Sequence, residues 1–281
     1  MLSSKPKPRR NLSVLELKET LKDEVALDIN GWEILGDVMV LELGEGYTAP
    51  EKKLIGETII RRHPKAVTVV NRLEIGNELR QPVVEVLAGD KTQTIYSENG
   101  CRYNIDPTKV MFSFGNKDER MRMAKISSEK EVVVDMFSCV GQFAIPIAKH
   151  SKPKKVFAIE KNPFAFEFLK ANASLNKLSN LEPIHGDCRA VSPKGAADRV
   201  VMGYIFDTLQ FIPTALQALK NEGVIHYHFL STENKLKRHQ EAVFSLLDKN
   251  AIAHTLLKTV NVKSYAPKMY HYVMDLSIQK N

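Results

Sequence analysis

The sequence predicts an α/β protein in which a Rossmann-like sheet of seven strands follows a smaller N-terminal α+β domain. Three stretches carry that expectation. Val132–Asp135 is a run of β-branched residues ending in an acid, followed by a tight turn through Ser138, Cys139 and Gly141 and then an apolar helix. Lys155–Ile159 repeats the strand and ends in Glu160, and Leu181–His185 leads into Gly186, Asp187 and Cys188. Acids at successive strand tips, separated by helical stretches, mark the carboxyl edge of a parallel sheet, where nucleotide-like ligands sit.

The turn after Asp135 restricts the ligand. A dinucleotide fingerprint needs glycines so that bare backbone can approach a diphosphate. Here only Gly141 remains of the pattern, with Phe137 and Cys139 where glycines would stand. The expected ligand therefore has no phosphates. Glu160 is placed to accept from both ribose hydroxyls of an adenosine, and Asp187 beside the Cys188 N–H is placed to read the adenine edge. S-adenosylmethionine fits these stations.

Length and composition set wider bounds. A chain of 281 residues can bury a full core in one large or two modest domains. No apolar run reaches 18 residues, so no membrane span is expected, and the basic start lacks the apolar stretch of a secretory signal. Cys101, Cys139 and Cys188 form an odd set without a C-x-x-C pair, which points to a reducing, cytoplasmic setting and to no metal site. The formal charge of +7 is gathered in clusters such as Arg61–Lys65, Arg120–Lys125 and Lys235–His239. Beside an adenosine-type site, such clusters favour a nucleic acid partner over a small acidic substrate.

In chain order, residues 1–11 read as a basic flexible tail. Residues 12–105 read as an α+β domain of antiparallel strands, a nucleic-acid-positioning module. It opens with a leucine-spaced helix over Leu12–Leu21 and a strand within Trp32–Leu43. The helix Pro50–Arg62 follows, with Leu54, Ile55, Ile59 and Ile60 inward. Strands are then expected at Ala66–Val70, Val83–Leu87, Thr92–Ser97 and Cys101–Ile105. Residues 106–130 join the domains, with Asn116 as the cap of a helix that carries Arg120 and Arg122. The catalytic domain, 131–281, continues with a helix capped by Asn162 before Pro163 and a strand over Ala197–Tyr204. A helix from about Asp207 to Lys220, a strand over Gly223–Leu230 and a basic helix over Glu233–Lys249 come next. Strands at Thr255–Val262 and Tyr270–Ile278 close a class I methyltransferase-like sheet.

The motifs together resemble a known family. Lys109–Arg120 (K-V-M-F-S-F-G-N-K-D-E-R), Val133–Pro146, Ala158–Ala165 and His185–Arg189 are similar to the group that holds tRNA (guanine-37-N1)-methyltransferase and the wybutosine-synthesizing aminocarboxypropyltransferases. The methyltransferase branch has F-S-P-R-L near the join and N-L-P after the fourth strand. This chain has Phe112–Asn116 and Met202-Gly203-Tyr204 there, and so resembles the other branch. That resemblance implies transfer of the 3-amino-3-carboxypropyl arm of S-adenosylmethionine to C-7 of 4-demethylwyosine at position 37 of tRNA(Phe), with methylthioadenosine released. It implies cofactor contacts at Ser113, Arg120, Glu160, Asp187 and Cys188. With the strand-and-turn reading, the expected cofactor set is Ser113, Arg120, Asp135, Phe137, Gly141, Glu160, Lys161, Asp187 and Cys188. A monomer that engages the anticodon region of tRNA(Phe), with no membrane partner and no metal, completes the expectation.

All three carbons on a sulfonium are electrophilic, so placement decides which one is transferred. Arg120 is expected to pair with the methionyl carboxylate and turn the γ-carbon toward the base, while Tyr204 stacks on the base and Asp207 takes the ring proton. A guanine-N1 methyltransferase of the same group, and a non-catalytic tRNA-binding protein with a retained pocket, stand as alternatives. A nicotinamide dehydrogenase is the weakest, given the missing glycines.

Overall fold

Valines at 132–134 favour an extended backbone, and with helices to cover both faces they make the centre of a buried parallel sheet. A computed structural model of the chain describes residue 19, residues 28–76 and residues 78–280. The tail 1–11 and, but for Glu19, the helix expected over Leu12–Leu21 lie outside the described residues. Contacts divide the chain into two units. The smaller holds residue 19 and residues 28–76, 81–95 and 106–108 of the described chain, and the larger holds 78–80, 96–105 and 109–280. The segment 96–105, read from sequence as part of the N-terminal domain, groups with the larger unit.

In the smaller unit, β1 (Ile29–Leu35) turns back at Gly36 into antiparallel β2 (Val38–Leu43). The sequence suggested one strand in this region, and a φ of +58° at Gly36 makes the reversal that splits it in two. Helix α1 (Ala49–Arg62) follows, its start fixed by Glu51, whose carboxylate accepts the Thr48 N–H at 2.7 Å. It leads to β3 (Thr68–Gly76), which pairs parallel with β2, and then to antiparallel β4 (Gln81–Ala88). The expectation of antiparallel strands alone is corrected here. A 14-residue helix between two strands is the crossover that a parallel pair requires. Ile55 and Ile59 pack on Met39, Leu41 and Val69, whereas Leu54 points outward at 44% exposure.

The larger unit begins with the hairpin residues that end β5 (Thr94–Glu98) and form β6 (Cys101–Ile105). Helix α2 (Lys117–Met123) and β7 (Val132–Asp135) come next. The expected helix after β7 is one short turn, α3 (Ala144–Pro146), widening into a π turn at Ile147–Ser151. The remaining elements are β8 (Lys155–Glu160), α4 (Pro163–Leu175), β9 (Leu181–His185), α5 (Cys188–Val191) and β10 (Ala197–Met202). They are followed by α6 (Ile212–Ala218), β11 (Leu219–Ser231), α7 (Leu236–Lys249), β12 (Ile252–Ala266) and β13 (Met269–Lys280). Strand order is β12-β13-β11-β10-β7-β8-β9, with β13 antiparallel to both neighbours and the rest parallel. The chain winds from β7 outward to β9, then returns to β10 on the other side. That reversal leaves a crevice at the carboxyl ends of β7 and β10.

Caps read from sequence hold where they are local. Asn162 accepts from the N–H groups of Phe164 and Ala165. Two expectations fail. Asn116 makes no side-chain cap, and the helix expected over about 207–220 is reduced to α6 behind a 3-10 turn. Leu219, fully buried, already pairs with Ala197 in the sheet, so the ladder takes residues that helix propensity alone would keep. The final strands are also longer than expected. No helix among the described residues is long and apolar enough to cross a membrane.

On one face of β11 and β13 lies a buried polar group. His226 bonds Asp275 at 2.5 Å, Arg122 joins Asp275 to Glu119, and His228 shares a 3.0 Å hydrogen bond with His271. Burial, together with neighbouring His226 and Arg122, holds His228 down to about 3, against the opposing pull of Asp275. Burial does the same to His271, to about 2, with His228 and Lys263 adding to it and Glu119 opposing. An imidazole kept neutral in the fold but free to charge near pH 6.5 when unfolded stabilises the protein above that pH and loses its contribution as pH falls. The gap in urea midpoint between the wild type and His228→Gln should therefore shrink on going from pH 7.5 to pH 5.

Candidate active site

The crevice at the switch point is a cavity of about 340 Å³ in the larger unit, lined from the tips of β7, β8, β9 and β10 and from residues of β12 and β13. After β7 the chain turns at Cys139, with φ +50°, and at Gly141, with φ +93°. A Cβ on Gly141 would lie 2.5 Å from Ile145 Cδ1, so the turn excludes any side chain there. Cys139 occupies a conformation that glycine adopts without strain, at a cost of roughly 1–2 kcal/mol. Its N–H donates to Glu160 Oε2 at 2.6 Å, and its Sγ bonds the Met111 carbonyl. Burial pushes this thiol up to about 12, so it stays neutral.

Glu160 closes the turn. Its second oxygen accepts the Asn162 N–H at 2.7 Å, which fixes the carboxylate plane at the tip of β8. Burial raises its pKa, and the backbone donors oppose that rise. At the tip of β9, Asp187 caps the Arg189 N–H and pairs with the Arg189 guanidinium, which holds its pKa below the carboxylate range. Lys161 bridges Asp187 and Glu78. Cys188 is buried behind them, its thiol also raised to about 12 by burial. At the tip of β10, Tyr204 stacks on Phe137 with centroids 5.2 Å apart.

Ser113, Phe137, Glu160, Lys161, Asp187, Cys188 and Tyr204 thus meet around one cavity. Arg120, Asp135, Gly141 and Asp207 are not among its lining residues. Arg120 is 1% exposed, and its guanidinium grips Glu98 with two bonds, of 2.7 and 3.0 Å, while donating to the Ser113 carbonyl. The expectation that it faces the cavity is corrected: it supports the wall from behind. Asp135 is fully buried beneath the turn, where burial raises it to about 7. Asp207 takes a positive φ at the start of a 3-10 turn.

Sequence reasoning missed Glu78–Arg80, Gln142, Lys263, Tyr265 and His271 as wall residues. None sits at a strand tip of the parallel sheet. Only Gln142 carried a usable signal, lying in the turn itself, where its Oε1 accepts the Ser113 N–H at 3.0 Å.

The site fits an adenosine ligand without phosphates. The Phe137 N–H points to Asp135, Ser138 N–H to Ile159 O, Cys139 N–H to Glu160 and Gly141 N–H to Ser138 O. With these four donors taken internally, the turn does not offer the run of bare N–H groups that a diphosphate needs. Glu160 retains lone pairs for ribose hydroxyls, and Phe137 and Tyr204 offer flat apolar surface. Among the described residues, no group of three or more His, Cys, Asp or Glu side chains is placed to hold a metal ion.

This sheet order, with its antiparallel penultimate strand and acid-tipped second strand, defines the class I S-adenosylmethionine-dependent methyltransferase fold with an extra N-terminal domain. The chain belongs to the TRM5/TYW2 methyltransferase-domain family, whose model matches residues 94–255, and the TYW2 N-terminal-domain model matches residues 15–92. The tRNA(Phe) (4-demethylwyosine(37)-C(7)) aminocarboxypropyltransferase of Methanocaldococcus jannaschii is 42% identical over 252 residues, 89% of this chain and 98% of that protein. The crystal structure of P. horikoshii TYW2 in complex with MeSAdo has a TM-score of 0.82 at 34% identity, covering 94% of this chain and 98% of the other. That of M. jannaschii TYW2 in complex with AdoMet has a TM-score of 0.73 at 37% identity, covering 89% and 100%.

The buried Arg120–Glu98 pair gives a direct test of the wall. Removing one partner leaves a charge in a dry site, so Glu98→Ala should lower the unfolding free energy by about 3–5 kcal/mol in urea denaturation.

Proposed function

We propose that this chain is a tRNA-modifying aminocarboxypropyltransferase. It transfers the 3-amino-3-carboxypropyl group of S-adenosylmethionine to C-7 of 4-demethylwyosine at position 37 of tRNA(Phe). When bound, the sulfonium supplies an electrophilic γ-carbon and a thioether leaving group, so the new carbon–carbon bond forms as carbon–sulfur breaks, methylthioadenosine leaves and the C-7 proton is released.

The observation that carries the reading, beside the 42% identity to the M. jannaschii enzyme, is the tip of β10. Methyl transfer to a base nitrogen calls for an amide side chain or a proline-stiffened backbone there to polarise the amine. Met202-Gly203-Tyr204 supplies neither. Gly203 packs against the Phe143 ring, where a Cβ would come within 3.0 Å, and Tyr204 extends the aromatic surface begun by Phe137. An electron-rich tricyclic base that reacts through carbon needs placement more than polarisation. Stacking on Tyr204 supplies that placement.

In this reading Glu160 accepts from the ribose hydroxyls, and Asp187 with the Cys188 N–H reads the adenine edge. Phe137 and Lys161 complete that wall. Asp135 and Gly141 hold the turn in shape. Arg120 acts as a positioning residue, since it fixes the Ser113 carbonyl. The anticodon region of the tRNA is the part that must reach the cavity, and a single chain carries every residue invoked.

Two measurements test this. With tRNA(Phe) bearing 4-demethylwyosine, carboxyl-labelled cofactor should label the tRNA, while the label of methyl-labelled cofactor should leave in methylthioadenosine. Methyl label in the tRNA would instead favour the guanine-N1 methyltransferase. Glu160→Gln places an amide donor against a backbone N–H, and should weaken cofactor binding about tenfold or more by calorimetry, given roughly 1.5–3 kcal/mol for a charged hydrogen bond.

A further inference from the structure

With Arg120 withdrawn into the wall, the carboxylate of the transferred arm needs another cation. Lys161 and Arg189 line the cavity but are bound to Asp187 at the β8–β9 end. The Arg80 guanidinium lies over the Phe206 ring, 4.8 Å from its centroid. Lys263, near the far end of β12, lines the opposite side. A register shift between Asn261 and Lys263 interrupts the β12–β13 ladder at this point, the kind of bulge that re-aims a side chain. Its Nζ lies 2.9 Å from Ser113 Oγ.

What lets the lysine in is Gly115. A Cβ built there would sit 2.6 Å from Lys263 Cδ and 3.0 Å from its Nζ, closer than packed atoms allow. The neighbouring Asn116, also on the cavity wall, has a buried Oδ1 without a hydrogen-bond partner. An unpartnered acceptor and a cation on one cavity wall match the two charges of an amino-acid group: carboxylate to ammonium, and ammonium to amide oxygen. Sheet order places Lys263 on the β12–β13 side, away from Glu160 and Asp187 at the ends of β8 and β9, and the 3-10 turn Phe114–Asn116 packs against β12.

We propose that Lys263, admitted beside Ser113 by the bare face of Gly115, binds the carboxylate of the transferred arm, with Asn116 Oδ1 accepting from its amino group. The assignment rests on S-adenosylmethionine as the donor in the proposed reaction. It makes this corner the part of the site that senses the arm, where the adenosine half of the ligand makes no contact.

The test compares two ligands on the full chain by calorimetry: S-adenosylmethionine, which carries the arm, and methylthioadenosine, which lacks it. Lys263→Met should weaken S-adenosylmethionine about tenfold or more, as for loss of a charged hydrogen bond, and leave methylthioadenosine within about twofold. Lys263→Arg should restore part of the loss. Gly115→Ala, which displaces the lysine without removing it, should weaken S-adenosylmethionine selectively as well, and decides the matter if the lysine variant does not fold. Equal losses for both ligands in a variant with the wild-type unfolding midpoint, or no loss for either, would overturn the proposal while leaving the donor intact. Failure of the wild type to bind either ligand would overturn the donor, and the lysine's role with it.

Discussion

The contact between the Cys139 N–H and Glu160 Oε2 is the constraint on which the site depends. It joins the turn after β7 to the tip of β8 across the point where the sheet reverses its winding. A carboxylate tied by two backbone donors cannot rotate, so its remaining lone pairs face one direction. The same bond removes a donor that a phosphate would need. One interaction therefore sets both the shape of the cavity and the class of ligand it takes.

Around that contact the wall is assembled from polar groups that satisfy one another. Arg120 illustrates how a charged side chain shapes the wall from behind it. Its pair with Glu98 is buried on both sides, so the guanidinium is oriented before it reaches the Ser113 carbonyl, and the Phe112 ring lies beneath it. An asparagine on α4 and the one at its C-terminal cap do similar service for β6. Asn172 and Asn176, one turn apart, each bond the N–H and C=O of a β6 residue, so a short hairpin is held to a helix as a strand would hold it. The histidines on β11 and β13 extend the pattern inward, with His271 reaching the cavity wall.

The two sides of the cavity differ in character. On β8 and β9, acids are pinned by backbone N–H groups, and the cations present are bound to them. On β12 and β13, a lysine rests on a hydroxyl above a glycine. In the proposed binding mode the neutral, hydroxylated adenosine half takes the β8–β9 side and the zwitterionic arm the β12–β13 side, with Phe137 and Tyr204 on the wall of the same cavity.

Much of this was set by short-range chemistry and could be read from the chain. Short apolar runs leading into acids gave the parallel strands and placed Glu160 and Asp187 on the cavity, and Asn162 before Pro163 gave the start of α4, because strand tips and caps depend on neighbours a few residues away. The cations could not be read in that way. Arg120 and Lys263 are both basic residues near polar stretches, and nothing local distinguishes them. Arg120 is withdrawn by Glu98, 22 residues earlier, and Lys263 is brought in by a partner 150 residues away, Ser113, over a glycine that leaves room for it. Local sequence determined the strands and the acids at their tips, and tertiary structure decided which positive charges line the cavity, since burial and pairing belong to whatever the folded chain brings alongside.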